Sequence, residues 1–263
     1  MKNSAIWHPY TQMSEWDDFP NIIKGDGFWL VDSKGNKYLD GVASMWCNVW
    51  GHSKKEIIST INRQSKKIIH SSLFNLTNDQ AEVLAKKLVS ISPGMSRVFY
   101  SDNGSTAMEI AFKIAIQYWQ NIGYKDKSLF ATLQNGYHGD TFGTMSVGFV
   151  PGFFSKFKKN LYKSIQIPFE NSYKIKNIEK YYSHTLEKIE FTLRKNKNIA
   201  AFVMESGAQI AGGVNIYNDG FQSQISKICK ENNVLLILDE IATGFGRLGS
   251  LVEYTSQIGR AHV

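Results

Sequence analysis

Apolar residues gather along this chain in short unbroken runs, and the stretches between them repeat their apolar positions at helical spacing. The runs RVFYS (97–101), SLFATL (128–133), AAFVME (200–205) and VLLILD (234–239) predict strands buried on both faces. Between the first two lies TAMEIAFKIAIQYW (106–119), which places Ala107, Ile110, Ala111, Ile114, Ala115 and Tyr118 on one helical face. Buried strands alternating with helices imply an α/β fold, a mostly parallel sheet flanked by helices. Ligands of such sheets bind beyond the carboxyl ends of the strands, so chemistry is expected there. Residues 1–45 pattern differently, with strand-like pieces GFWLVD and KYLDGV around the turn DSKGN. They are either a separate small domain or an edge of the main one.

Composition narrows the class. The 263 residues, 43% hydrophobic and 20% charged, suffice for a real core and exclude a disordered chain. The net charge of +7 rests on scattered lysines and reads as a solvated surface. The densest basic stretch, FFSKFKKNLYKSIQIPF (153–169), contains no nucleic-acid-binding motif and is expected to be a surface loop. Cys47 and Cys229 stand far apart without a CxxC, so neither a disulfide framework nor a thiolate metal site is expected. The first residues lack a signal-peptide core, and nowhere do about 18 apolar residues run together. A cytoplasmic, soluble protein without nucleic-acid or membrane partners is the expectation.

Three strand ends carry candidate chemistry. In FYSDNGSTAMEIAFK a strand runs through Gly104 and Ser105 into a helix, with Thr106 and Glu109 spaced as a capping box. Such a helix start offers free N–H groups and the positive dipole end, which suit a phosphate; plain capping is the alternative. In NGYHGDTFGTMSVG (135–148) the glycines present Tyr137, His138 and Asp140 from a loop. Tyr137 there suits stacking on a flat ring, whereas His138 reads as a hydrogen-bonded loop histidine, because no other ligand sits at metal spacing. In VLLILDEIATGFGR, Asp239 and Ile241 point one way and Glu240 the other. A carboxylate ending a buried strand needs a cation or a strong donor. A protonated ring nitrogen would serve, with Ile241 against the ring; capping the next turn or pairing with Arg247 are the alternatives. Gly244 to Gly249 also match GxGxxG, but DEIAT separates the strand from the glycines and no helix opens on them, so NAD binding is disfavoured.

In this order the three strand ends resemble the class III aminotransferases, which bind pyridoxal 5'-phosphate on a fold type I scaffold. IWHPYTQM (6–13), DGVASMWCNVWGH (40–52), NGYHGDTFGTMSVG and LDEIATGFGR (238–247) are similar to the branch of that class that serves biotin synthesis. The resemblance runs from Ala5 to about Gln257. It implies that Gly104 and Ser105 hold the cofactor phosphate, Tyr137 stacks on the pyridine ring and Ile241 packs on its other face. Asp239 would pair with the pyridinium nitrogen and act as the catalytic carboxylate. Tyr10, Trp46 and Asp140 would shape the substrate site, although by pattern alone Tyr10 and Trp46 read as core aromatics. The implied reaction carries an amino group from S-adenosylmethionine to 8-amino-7-oxononanoate, with small-molecule substrates and a homodimer. Residues 1–45 would belong to a small domain and 46–257 to part of the large cofactor-binding domain.

Departures from the pattern sharpen the alternatives. Met45 stands where some members carry a second tryptophan, Ser206 where a proline usually follows the glutamate matched by Glu205. Ala211 replaces the second glutamate of the ornithine and aminobutyrate enzymes, which speaks against an ω-amino-acid transaminase, the runner-up. Transamination also needs a lysine to hold the cofactor and shuttle the proton. In the family it lies on the order of 30 residues beyond the aspartate, hence past Val263, so the chain is expected to be an inactive fragment. A non-catalytic protein of this fold is the further alternative. The closing IGRAHV (258–263) departs from the family and is expected to be a non-native tail, the translation of a read-through sequencing adapter.

Overall fold

The computed structural model describes residues 5–15 and 19–257; the expected non-native tail, 258–263, lies outside the described residues. The chain forms two compact units, residues 1–78 and 79–263, so position 45 falls inside the first of them.

The first unit is built on an antiparallel sheet of β1 (Ile22–Asp26), β2 (Trp29–Asp32) and β3 (Lys37–Leu39), in that order. GFWLVD and KYLDGV therefore both supply strands. The intervening turn is organised by Asp32, which accepts hydrogen bonds from the backbone N–H groups of Lys34 and Asn36 and from the Asn36 and Tyr38 side chains. The Asn36 side chain first, then these other donors, hold the Asp32 carboxyl down to about 2. Gly35, at φ 84, supplies the left-handed residue that the turn requires. Helix α1 (Lys55–Ser65) follows.

The second unit carries the parallel sheet. Its strands β4 (Leu129–Leu133), β5 (Ile165–Ile167), β6 (Ile199–Glu205) and β7 (Leu235–Asp239) stand in the order β5-β4-β6-β7, every pair parallel. Helices α2 (Asp79–Ile91), α3 (Gly104–Asn121), α4 (Phe142–Val147), α5 (Ile178–Lys195) and α6 (Phe221–Glu231) belong to the same unit. Side chains alternate across each strand, so both faces are apolar and both are covered. On one face Phe130, Ala201 and Val203 meet Met108, Phe112, Ala115 and Trp119 of α3. On the other, Ala131, Leu133, Phe202 and Met204 meet Ile189 and Leu193 of α5 and Phe221 and Ile225 of α6. No helix among the described residues is long and apolar enough to cross a membrane.

Three expectations need correction. Residues 97–101 form no strand: a strand exists through its ladder, neither sheet edge pairs with this segment, and Phe99 is 70% exposed. The buried stripe of α3 is Met108, Phe112, Ala115 and Trp119, while Ala107, Ile114 and Tyr118 are exposed. This helix is apolar on two sides, and only one of them rests on the sheet. The Trp119 indole decides between them, donating to Ala200 O at 2.8 Å beneath the Lys127 ammonium, which lies 4.1 Å from its ring. Finally, 153–169 is no plain loop. It contains a helical turn from Ser155 to Asn160 and then β5, with Phe154, Ile167 and Phe169 buried.

Candidate active site

The order of the strands fixes where the site must lie. From β4 the chain steps outward to β5 and then returns to the far side of β4 to lay down β6. That reversal opens a crevice beyond the carboxyl ends of β4 and β6, with β7 beside it. The segments leaving these strand ends hold Tyr137, His138 and Asp140, then Glu205, then Asp239 and Ile241.

The start of α3 joins them. Asn103 is its N-cap: the side chain accepts from Thr106 N at 3.0 Å, and Thr106 Oγ1 accepts from Asn103 N at 3.1 Å. The capping box is thus Asn103 with Thr106, not Thr106 with Glu109, because the helix begins three residues earlier than the spacing suggested. Glu109 instead accepts from the Thr141 hydroxyl at the start of α4, so the expected loop 135–148 ends in a helix that this acid ties down. The leading N–H groups of an 18-residue helix emerge at Gly104 and Ser105.

Glycines allow these segments to touch. A Cβ on Gly104 would stand 2.7 Å from Ile241 Cδ1, so glycine lets Ile241 lie over the helix start without shifting. A Cβ on Gly139 would strike the Ser105 side chain, and Gly139 also sits at φ 125, outside the reach of ordinary side chains. Asp140 N donates to Ser105 Oγ at 3.3 Å from the same loop. Gly139→Ala is therefore expected to destabilise the second unit by about 1–2 kcal/mol. A urea titration checks this, and a wild-type midpoint would show that the loop yields freely.

Asp239 lies at the centre. It is 5% exposed; its Oδ2 is 2.9 Å from His138 Nδ1, and its Oδ1 accepts from Ile241 N at 3.0 Å. A carboxylate can only accept, so Nδ1 is assigned the proton. His138 is the hydrogen-bonded loop histidine expected from the sequence, and the group it serves is Asp239. No group of His, Cys, Asp or Glu able to hold a metal occurs among the described residues. Tyr137 donates from its hydroxyl to Asp140 Oδ1 at 3.1 Å, and its ring is stacked on Phe154 with centroids 6.0 Å apart.

Glu205 went unremarked as a site residue in the sequence. It faces Asp239 directly in the register of β6 and β7, is buried, and accepts from Tyr137 N at 3.1 Å and Ile210 N at 2.8 Å. Burial pushes its carboxyl up to about 7 against the pull of those two amides and of His138, with the Asp239 charge adding to the rise. The signal was present, since the argument that singled out Asp239, an acid ending a buried strand, applies equally to Glu205. Ser206 clarifies the missing proline: its N–H donates to Asp239 O at 2.9 Å, a bond that proline cannot make.

Gly104, Ser105, Tyr137, Asp140, Asp239 and Ile241 thus come together in the second unit. Tyr10 and Trp46 belong to the first and are not core aromatics there, being 85% and 43% exposed. Gly244 to Gly249 form turns, not the start of a helix, unlike a dinucleotide loop.

The segment that holds this parallel α/β sheet, its strand ends and this helix start falls within residues 12–257, which match the family described as Aminotransferase class-III. The chain belongs to that family. Among curated relatives it is 41% identical over 254 residues to the adenosylmethionine-8-amino-7-oxononanoate aminotransferase of Geobacter sulfurreducens, covering 94% of this chain and 56% of that protein. The crystal structure of the protein of the same name from Methanocaldococcus jannaschii superposes with a TM-score of 0.85 at 42% identity, covering 94% of this chain and 55% of that one. The omega transaminase of Pseudomonas jessenii, in complex with PMP, superposes at 0.89 with 27% identity, covering 97% and 58%. The chain spans a little over half the length of the relatives it matches.

Proposed function

We propose that this chain serves the transfer of an amino group from S-adenosylmethionine to 8-amino-7-oxononanoate, giving 7,8-diaminononanoate, with pyridoxal 5'-phosphate as cofactor. The observation that carries the reading is the buried Asp239, backed by His138 and set beside an Ile241 that overlies the glycine start of α3. The donor set fits the cofactor. A dianionic phosphate suits the free N–H groups and hydroxyl at Gly104 and Ser105, and Asp239, with two of its lone-pair sites engaged, retains acceptor capacity for a ring N–H.

Pyridoxal phosphate, when bound, supplies an electron sink for the carbanion left when a substrate C–H proton departs. The protein's part is to make that sink effective. Asp239 would hold the proton on the ring nitrogen, His138 fixes the carboxylate that would do so, and Tyr137 and Ile241 would confine the ring between them. Asp140 would shape the substrate site. The reading carries with it a cytoplasmic homodimer that acts on small molecules and binds neither nucleic acid nor membrane.

A second class III activity, on ω-amino acids, draws support from the likeness to the Pseudomonas jessenii transaminase, but at 27% identity against 42% for the biotin-pathway relative. Growth of a biotin auxotroph lacking the relatives' activity separates the two. The test uses this chain alone and this chain continued by the C-terminal part of the Methanocaldococcus jannaschii protein. Growth of the cells carrying the continued chain without biotin, with diaminononanoate formed in their extracts supplied with S-adenosylmethionine, is expected. Turnover of ornithine or aminobutyrate with 2-oxoglutarate, and of nothing else, would replace the proposal with the second reading.

A further inference from the structure

We propose that Glu205 is a positioning residue, a carboxylate clamp that sets the height and tilt of the Tyr137 ring over the strand ends. The inference deepens the cofactor reading and rests on it for the purpose of the clamp, but the clamp itself is a property of the chain.

The geometry is specific. Glu205 ends β6 and spreads its two oxygens between two segments that no ladder joins: Oε1 takes the N–H of Tyr137, and Oε2 takes that of Ile210. Tyr137 lies between Gly136 and His138, and this bond ties its backbone to the carboxyl end of β6. On the far side, Gly212 lies so close to Asn135 O that a Cβ would strike it, and Gln209 Nε2 donates to Gln134 O at 2.8 Å. The segment after β6 is thus folded down onto the segment after β4, with Glu205 beneath both. A side chain with two acceptor oxygens, placed where two backbone donors converge, is the arrangement that fixes a loop without occupying the space above it.

The groups facing Glu205 come from three further elements. His138 approaches from the segment after β4, Asp239 from β7, and Tyr217 from the segment before α6, where it is buried and its own proton is held far more tightly than usual by that burial. Asp239 opposes the Glu205 charge, and His138 favours it. The carboxylate that fixes the ring and the carboxylate that would meet the ring nitrogen therefore stand side by side on neighbouring strands, sharing one histidine neighbour.

Hydrogen exchange tests the clamp without any cofactor. In Glu205→Ala the amides of Tyr137 and Ile210 are expected to exchange at least ten-fold faster, with those of β4 and β6 unchanged. In Glu205→Gln, which keeps one acceptor oxygen, one of the two amides is expected to remain protected, and this milder variant answers the question should the alanine variant fail to fold. Unaltered exchange at both amides in either folded variant would overturn the clamp. A second readout is titration with pyridoxal 5'-phosphate, followed by the circular dichroism of the bound chromophore. Glu205→Ala and Tyr137→Ala are expected to weaken binding and the dichroic band alike, and the double variant to be no worse than Tyr137→Ala, because one residue acts through the other. Fully additive losses would show that Glu205 does not act through the ring. Absence of binding by the wild-type chain would count against the cofactor reading, leaving the exchange result to decide the clamp.

Discussion

Asp239→Ala is expected to lower the stability of the second unit by about 3 kcal/mol and to weaken pyridoxal 5'-phosphate binding about 100-fold, whereas Asp239→Asn should show the second effect with much less of the first. The two losses have separate causes. The His138 side chain is fully buried, and Asp239 supplies its Nδ1 partner; with the carboxylate gone, that polar atom is stranded away from water and the N–H of Ile241 loses its acceptor. Asparagine keeps an oxygen for one of these donors and keeps the shape of the site. Neither variant, however, offers a negative charge to a protonated ring nitrogen, so both should lose affinity to a similar degree. Urea titration and cofactor titration of the two variants separate the terms. An alanine variant that unfolds at the wild-type midpoint would remove the pair from the account of stability. An asparagine variant of undiminished affinity would show that the charge of Asp239 is not what the ligand meets.

Where the sequence was legible, a buried strand had announced itself. The runs at Leu129–Leu133, Ile199–Glu205 and Leu235–Asp239 are apolar on consecutive residues because helices cover both faces of the sheet, and an acid closing such a run stands out. Legibility failed where the outcome depends on partners distant in the chain. RVFYS has the composition of a strand, but pairing is decided elsewhere. Helix α3 offers Met108, Phe112 and Trp119 on one side and Ile114 and Tyr118 on another, and only the sheet chooses between them. The strand Ile165–Ile167 is too short, and too closely preceded by lysines, to show a period of its own. In the site, Asp239 was found because the cost of burying it is visible in one dimension. The histidine that relieves that cost stands 101 residues earlier, and no spacing reveals it.

Glu205 extends the same reasoning to pH. Its carboxyl titrates at about 7 in the folded chain against an ordinary 4.5, chiefly because burial disfavours the charged form. A raised carboxyl means that folding favours the protonated state, so this group's contribution to stability is fully present below pH 4.5. It is lost as pH rises and is gone above about 7. A displacement of this size corresponds to about 3 kcal/mol across the window. Wild-type stability measured relative to Glu205→Gln should therefore fall between those limits and then level, since glutamine carries no proton to lose and titrating groups remote from position 205 cancel in the comparison. A flat difference would mean that Glu205 is already ionised throughout, and a rising one would mean that the two amides outweigh burial. The position of the window also reports on its neighbour. Asp239 raises the Glu205 carboxyl through its charge, so a cation held at Asp239 must lower it. In the presence of saturating pyridoxal 5'-phosphate the fall should be displaced to lower pH, and the ring-nitrogen proton then strengthens the carboxylate that holds Tyr137 in place.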